Sequence, residues 1–368
     1  MVRFVLNGTG ANVYALGCFA GDGDAILCSD CAHILVDETG APTAVTGAQL
    51  VPVGTSQGKV TASALSETII QYDDMHKPRP AALSLSQPTE LGTVYTTKEL
   101  SELCLIAHGA GMVVHIDGAR LSNAAVALGV GPAQAAGYVT APGLSKAGVE
   151  GADVVCFGGT KNGLMFGEAV VFAPRADGSL PDTSRLRKTR LQLSSKMRYI
   201  AAQFEVYVKD GIWKECATAA NEQAKRLVQG LATRGIVPEY SPETNGVFLR
   251  LPALVTEELR AKRFFYDWEG GIIRWMASWD TSDEDVDGLL IDLDAAMASH
   301  HAQTPIQAVP FSVSVQAELA MGRNFLRSNW DHLDAIKSPQ ERGLPVPSFV
   351  RPVPSGARVV ELARLYKE

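Results

Sequence analysis

Long apolar runs are missing from this chain. No segment of its 368 residues stays apolar for the roughly twenty positions that a bilayer span requires, so no membrane partner is expected. Blocks of positive charge are missing as well. With 33 Lys and Arg against 40 Asp and Glu, the net charge is −7, which argues against a nucleic-acid partner. Cysteine is sparse: six residues, too few and too scattered for a disulfide framework. Only Cys28 and Cys31, with His33 close behind, show a ligand-like spacing. A zinc site would need a second pair of ligands, and a redox motif would need a thioredoxin-like context. Cys18, Cys104, Cys156 and Cys216 lie in apolar periodic segments and read as core, so no metal site is expected. The opening MVRFVLNGTG has no secretory signal pattern. The expected location is the cytoplasm.

What is present is a large apolar fraction, 46%, with 20% charged residues, enough for a sizeable core and two packed units. The organising stretch runs from 112 to 172. It opens with MVVHIDGARLSNA and, after a spacer, continues as DVVCFGGTKNGLMFGEAVVF. Each half begins as a β-branched apolar run and ends in polar residues. That is the pattern of buried strands in a mostly parallel sheet whose carboxyl ends carry the chemistry. Asp117 ends one such strand, and Lys161 follows the other.

Around this centre, strands alternate with helices. Residues 2–6 read as a strand, 7–10 as a tight glycine turn and 11–20 as a helix. Further strands are expected at 25–29, 49–53 and 81–86, with helices at 61–72 and 97–108. Beyond the centre the expectation is one long helix over 184–208, a helix over 213–233 and strands at 236–240 and 246–251. A short helix at 256–261 capped by Thr256, a strand at 272–279 and a helix at 283–297 follow. The fold class is therefore α/β. A large domain spans 1–190 with a mostly parallel sheet, and a smaller C-terminal α/β domain spans 191–298. Residues 299–368 form an unassigned extension, with helical segments at 314–336 and 357–366 about a proline-rich linker at 345–354.

Several polar residues fall where such a sheet collects ligands. Gly8, Thr9 and Gly10 precede a helix, whose free amides and dipole favour an anion; Asn12 could assist, and the plain alternative is an ordinary turn. His33 follows the second strand and could instead cap a helix or fill core. Glu38 is a substrate contact or a solvated turn carboxylate. Thr89 and Glu90 lie in a polar turn after a strand. Asp117 could simply cap the next helix, Arg120 could be a surface cation in its first turn, Lys161 a solvated loop lysine, and Arg274 an ordinary strand cation.

HIDGARLSNA followed by FGGTKNG resembles the L-threonine aldolase family, the low-specificity kind and its relative phenylserine aldolase. The likeness covers about 3–297. It extends to Gln87-Pro88-Thr89-Glu90-Leu91-Gly92-Thr93-Val94-Tyr95, to Glu38-Thr39-Gly40, to Ser195-Lys196-Met197-Arg198 and to the segment opened by Arg274. The resemblance implies a fold-type I pyridoxal 5'-phosphate enzyme, an aldehyde-lyase cleaving an L-3-hydroxy-amino acid to glycine and an aldehyde. It implies Lys161 as the covalent anchor, Asp117 on the pyridine nitrogen and His33 stacked on the ring and near the base. Gly8, Thr9, Gly10 and Thr160 would hold the phosphate. Arg120 would bind substrate carboxylate or the cofactor's phenolic oxygen, Arg274 the substrate carboxylate, and Glu38 and Thr89 would line the substrate pocket. It further implies a homo-oligomer, dimer or tetramer, with the active site at a subunit interface. Two readings stand beside it: a β-eliminating lyase on the same fold, and a non-catalytic truncated family member. The second arises because the family's leading segment, with a Ser-Asp-Asn-type motif, is not seen ahead of the glycine turn.

Overall fold

The computed structural model describes residues 1–138, 151–174 and 180–303. The strands, in chain order, are β1 (Val2–Val5), β2 (Asp24–Ser29), β3 (Gln49–Val53), β4 (Thr55–Ser56), β5 (Lys59–Val60), β6 (Arg79–Ser86), β7 (Val113–Gly118), β8 (Val154–Gly158), β9 (Glu168–Phe172), β10 (Gly246–Leu249), β11 (Tyr266–Trp268) and β12 (Ile272–Met276). Seven of them form one sheet in the order β1-β9-β8-β7-β6-β2-β3. Within it β3, β2, β6, β7 and β8 run parallel. Only β9 is reversed, pairing antiparallel with both β8 and β1. All five residues of β8 are buried, as are five of the six in β7, which is why these strands are continuous apolar runs rather than alternating ones.

The strand order doubles back between β2 and β6, so that a crevice opens at the carboxyl ends of the parallel strands. Register aligns those ends: Ser86 of β6 sits opposite Asp117, and Asp117 opposite Cys156 of β8. A second sheet, β10-β12-β11, is antiparallel. Its core joins Val247, Leu249, Ile273 and Trp275 to Leu227 and Leu231 of the helix Ile212–Ala232 and to Leu290 and Leu293 of the helix Asp283–Gln303.

Four expected elements come out differently. The long helix over 184–208 is broken into Ser184–Thr189 and Arg198–Lys209, because Leu191 and Lys196 take left-handed φ of 60° and 62°, which an α-helix cannot contain. The strand at 236–240 does not form. Pro238 cannot donate to a ladder, and the segment keeps one bond to β10, Glu239 N to Phe248 O at 2.8 Å. The helix expected from Thr256 starts at Ala253, after Pro252, and Thr256 lies inside it with its hydroxyl turned back on the Pro252 carbonyl at 3.3 Å. The glycine turn at 8–10 is already the first turn of the helix Gly8–Leu16, capped by Asn7. The expected helices at 314–336 and 357–366 and the proline-rich linker lie outside the described residues.

Candidate active site

Four parallel strands deliver their next residues into one cleft: β2 through His33 and Glu38, β6 through Thr89 and Glu90, β7 through Asp117 and Arg120, and β8 through Lys161. Gly8 from the first helix and Arg274 from β12 complete the wall. Of the expected site residues, eight meet here: Gly8, His33, Glu38, Thr89, Asp117, Arg120, Lys161 and Arg274. Thr9, Gly10 and Thr160 stand one or two positions behind this wall. The Gly10 amide donates to the cap Asn7 Oδ1 at 2.7 Å, and the Thr160 hydroxyl accepts from the Gly167 amide at 3.0 Å. The Thr89 hydroxyl is shared with that of Thr93 at 2.7 Å.

Asp117 is the floor. Its Oδ1 accepts from the Ala119 amide at 3.0 Å, and its Oδ2 from Asn12 Nδ2 at 2.8 Å. It does not cap the following helix, which begins only at Leu121. The same Asn12 nitrogen reaches Glu38 Oε1 at 2.9 Å, and His33 Nδ1 meets that oxygen at 3.0 Å. Glu38 is therefore not a solvated turn carboxylate; its side chain is inaccessible to solvent. The backbone right after it explains how. Thr39 and Gly40 both adopt left-handed φ, 51° and 71°, uncommon for a β-branched residue such as Thr39, and this turn folds Glu38 inward. Asn12, expected toward a phosphate, faces the two carboxylates instead.

Charge in the cleft is unbalanced in a specific way. Arg120 and Arg274 line it, yet among the described residues neither guanidinium has a hydrogen bond or ion pair to protein, and Arg274 Nε is buried without a partner. Burial, then the neighbouring Arg274, pushes the Arg120 guanidinium down to about 10. Two unpaired guanidinium groups in one cleft are a site for anions. Arg274 is held between the rings of Tyr266 and Trp268, 4.9 and 5.0 Å from their centroids. Enclosure in the cleft, then Arg120, lowers the basicity of Lys161 below the usual lysine value, which favours a nucleophilic amine. Its turn is fixed from behind. Asn162 Nδ2 donates to the Trp213 carbonyl at 2.9 Å and to the Tyr207 hydroxyl at 2.5 Å.

Two buried carboxylates flank these cations. Glu90, weighed in the sequence only as part of a polar turn, takes the Ser86 hydroxyl at 2.5 Å and the His33 amide at 2.8 Å on Oε1, leaving Oε2 buried and unpartnered. Burial raises its pKa. Glu168, at the start of β9, accepts from the Gly159 amide at 2.7 Å, and burial raises its pKa too. Sequence reading missed Glu168, although a glutamate opening the apolar run EAVVF was a usable signal. It also missed Asn245 and Thr244, which enter the cleft from the start of β10. Thr244 Oγ1 donates to the Gly92 carbonyl at 3.1 Å, tying that loop to the turn after β6. The cysteine pair is not a thiolate site: burial pushes both Cys28 and Cys31 up to about 12.

The chain is similar to known proteins. The beta-eliminating lyase family profile matches residues 1–254. A low specificity L-threonine aldolase from Pseudomonas aeruginosa is 39% identical over 303 residues, 81% of this chain and 84% of that protein. Among solved structures, a Leishmania major threonine aldolase superposes with a TM-score of 0.72 at 27% identity, covering 80% of this chain and 84% of that one. A mutant aspartate aminotransferase from Thermus thermophilus, at 14% identity, superposes with a TM-score of 0.56 over 80% of this chain and 79% of its own. The latter likeness is one of fold, and it gives the large sheet its fold-type I assignment.

Proposed function

The chain belongs to the beta-eliminating lyase family, alongside low specificity L-threonine aldolases, and from its cleft we propose a pyridoxal-phosphate-dependent aldolase that cleaves an L-3-hydroxy-amino acid, threonine or phenylserine in type, to glycine and an aldehyde. The observation that carries this reading is the pair of unpaired guanidinium groups, Arg120 and Arg274, in the same cleft as Lys161, Asp117 and His33. The donor set fits the cofactor. First-turn amides, which a helix leaves without an internal partner, would hold its phosphate at Gly8 and Thr9, with Gly10 and Thr160 behind them. Asp117 would keep the pyridine nitrogen protonated, and Lys161 with its lowered basicity would be the covalent anchor. When bound, the cofactor supplies an electron sink for the bond being broken.

The remaining work falls to the protein's side chains. Arg274, immobilised between two rings, clamps the substrate carboxylate. Arg120 shares that carboxylate or holds the cofactor's phenolic oxygen. This fixes the Cα–Cβ bond in one orientation, and orientation is a large part of the rate. Glu38 and Thr89 border the substrate. The β-hydroxyl proton passes to a base, for which His33, lining the cleft, is the candidate. On this reading, residues 1–190 form the cofactor-binding domain and 191–298 the smaller domain. The six cysteines, all free thiols, suit a reducing cytoplasm.

A β-eliminating lyase is the second reading, favoured by the family profile itself. The purified, cofactor-loaded chain given L-threonine or L-phenylserine should release free aldehyde and glycine in equal amounts. Release of keto acid and ammonia instead would replace the aldolase reading with the eliminating one.

A further inference from the structure

We propose that Glu38, itself held by Asn12, is a positioning residue that keeps the Nδ1 proton of His33 turned inward and presents Nε2 to the substrate hydroxyl. This rests on the aldolase reading and deepens it.

The argument begins with Asn12. Its terminal nitrogen lies 2.8 Å from Asp117 Oδ2 and 2.9 Å from Glu38 Oε1. Only the NH2 end of an amide can face two carboxylates. Glu38 Oε1 is therefore an acceptor, already holding one donor, and the second atom within reach is His33 Nδ1 at 3.0 Å. An ionised carboxylate only accepts, so in this contact Nδ1 carries the hydrogen. In the neutral ring the lone pair is then on Nε2. His33 is about one-third exposed, open to the cleft, while the Glu38 side chain is wholly enclosed. The main chain is pinned as well, the His33 amide donating to Glu90 Oε1 at 2.8 Å. Ring, backbone and tautomer are all set by enclosed carboxylates on neighbouring segments, the arrangement that makes an imidazole an oriented base.

The step balances without a co-reactant. The β-O–H bond breaks as the Nε2–H bond forms. The oxygen pair becomes the aldehyde C=O as Cα–Cβ breaks; the Cα–Cβ pair stays with the glycine carbon, which takes a proton from solvent while Nε2 returns its own to solvent. The charged groups facing His33 are Glu38 and Asp117, which favour its protonated form, and Lys161, which opposes it. Together with enclosure they leave the His33 pKa raised, the Glu38 hydrogen bond being the largest cause.

The test uses Glu38→Gln in the full, cofactor-loaded chain, with His33→Asn beside it. E38Q keeps shape and removes charge. We expect kcat to fall about tenfold, less than the roughly hundredfold or greater loss of removing a general base outright, because the base is mispositioned rather than deleted, and KM to change by less than about threefold. The acid limb of the kcat/KM profile should move to lower pH. Nitrogen-15 spectra of His33, recorded without substrate, should titrate at lower pH. If Glu38 only supported the fold, the isosteric change would move neither the limb nor the spectrum, and that result overturns the proposal. Should E38Q not fold, the unsubstituted chain still decides: a neutral His33 whose Nδ1 is unprotonated overturns it. An H33N chain with parental kcat instead overturns the reading beneath it, that His33 takes the hydroxyl proton.

Discussion

At the scale of single residues, two positions dominate expectation. Lys161→Ala should leave the fold intact and abolish any borohydride-reducible link to the cofactor; a variant that still shows such a link would move the anchor elsewhere. Asp117→Asn can keep the acceptor for the Ala119 amide, loses the one for Asn12, and removes the charge that on this reading would keep a ring nitrogen protonated. Turnover should fall by at least about a hundredfold while the melting temperature changes little. Near-normal turnover in D117N would reduce Asp117 to a structural acceptor. Both positions were legible in the sequence because chemistry demands one residue type at a strand end, and apolar runs mark strand ends well. Asn12 was noticed but aimed at the wrong partner. An asparagine on a buried helix gives no sign in one dimension of which loop will fold against it, and its partners are 26 and 105 residues away. Glu168 was not noticed, since its donor, the Gly159 amide, comes from a hairpin that only the antiparallel β8–β9 pairing creates.

At the scale of elements, β11 matters more than its three residues suggest. Tyr266 pairs directly opposite Arg274, and Trp268 lies two residues further on the same face. Both rings therefore flank one guanidinium. A cation–π contact of this partly enclosed kind contributes about 1 kcal/mol. Trp268→Ala should consequently raise KM roughly fivefold for every amino-acid substrate, glycine in the reverse direction included, with kcat nearly unchanged, because a carboxylate clamp binds ground and transition states alike. A loss confined to kcat, or to one substrate, would sink that role for the clamp. A control element far from the chemistry is the helix Thr97–Gly109, whose capping box joins Thr96 to Glu99. Thr96→Ala should cost about 1 kcal/mol in chemical denaturation and leave kcat/KM unaltered. That cap was readable from the sequence to within one residue, Thr96 or Thr97, since the Thr-x-x-Glu spacing is itself the physical cause. The break at 190–197 was not. Leu191 and Lys196 are sound helix formers, and they are overridden by tertiary contacts, among them Gln192 accepting from the Leu6 amide at 3.0 Å.

At the scale of the whole molecule, the alternation of apolar runs and amphipathic segments carried the α/β class, and the order β1-β9-β8-β7-β6-β2-β3 places the cleft where the runs turned polar. What one dimension could not carry was surface. Along the edge strand Val2 is 48% exposed, but Val5 is fully buried, the Phe4 ring packs 5.2 Å from that of Phe204, and Arg187 donates to the Phe4 carbonyl at 2.5 Å. More exposed apolar side chains lie elsewhere. Met165 is 77% exposed, Leu191 81% and Tyr199 58%, with Phe166 and Leu193 beside them in sequence. Met165 is tied to the helix of Tyr199 by its amide bond to Gln203 at 3.0 Å, and it follows Lys161 by four residues. Exposed large apolar side chains beside the turn of Lys161 are what an interface leaves when one chain is taken alone. We therefore predict a homo-oligomer, at least a dimer, whose contact runs over this face and steadies the turn that carries Lys161. Light scattering should give a mass of two or more chains. Leu191→Asp with Met165→Asp should shift it toward one chain and weaken cofactor retention in a titration, while the fold by circular dichroism persists. A parent chain that is monomeric and still binds the cofactor tightly would show that this face needs no partner and that the turn is rigid by itself.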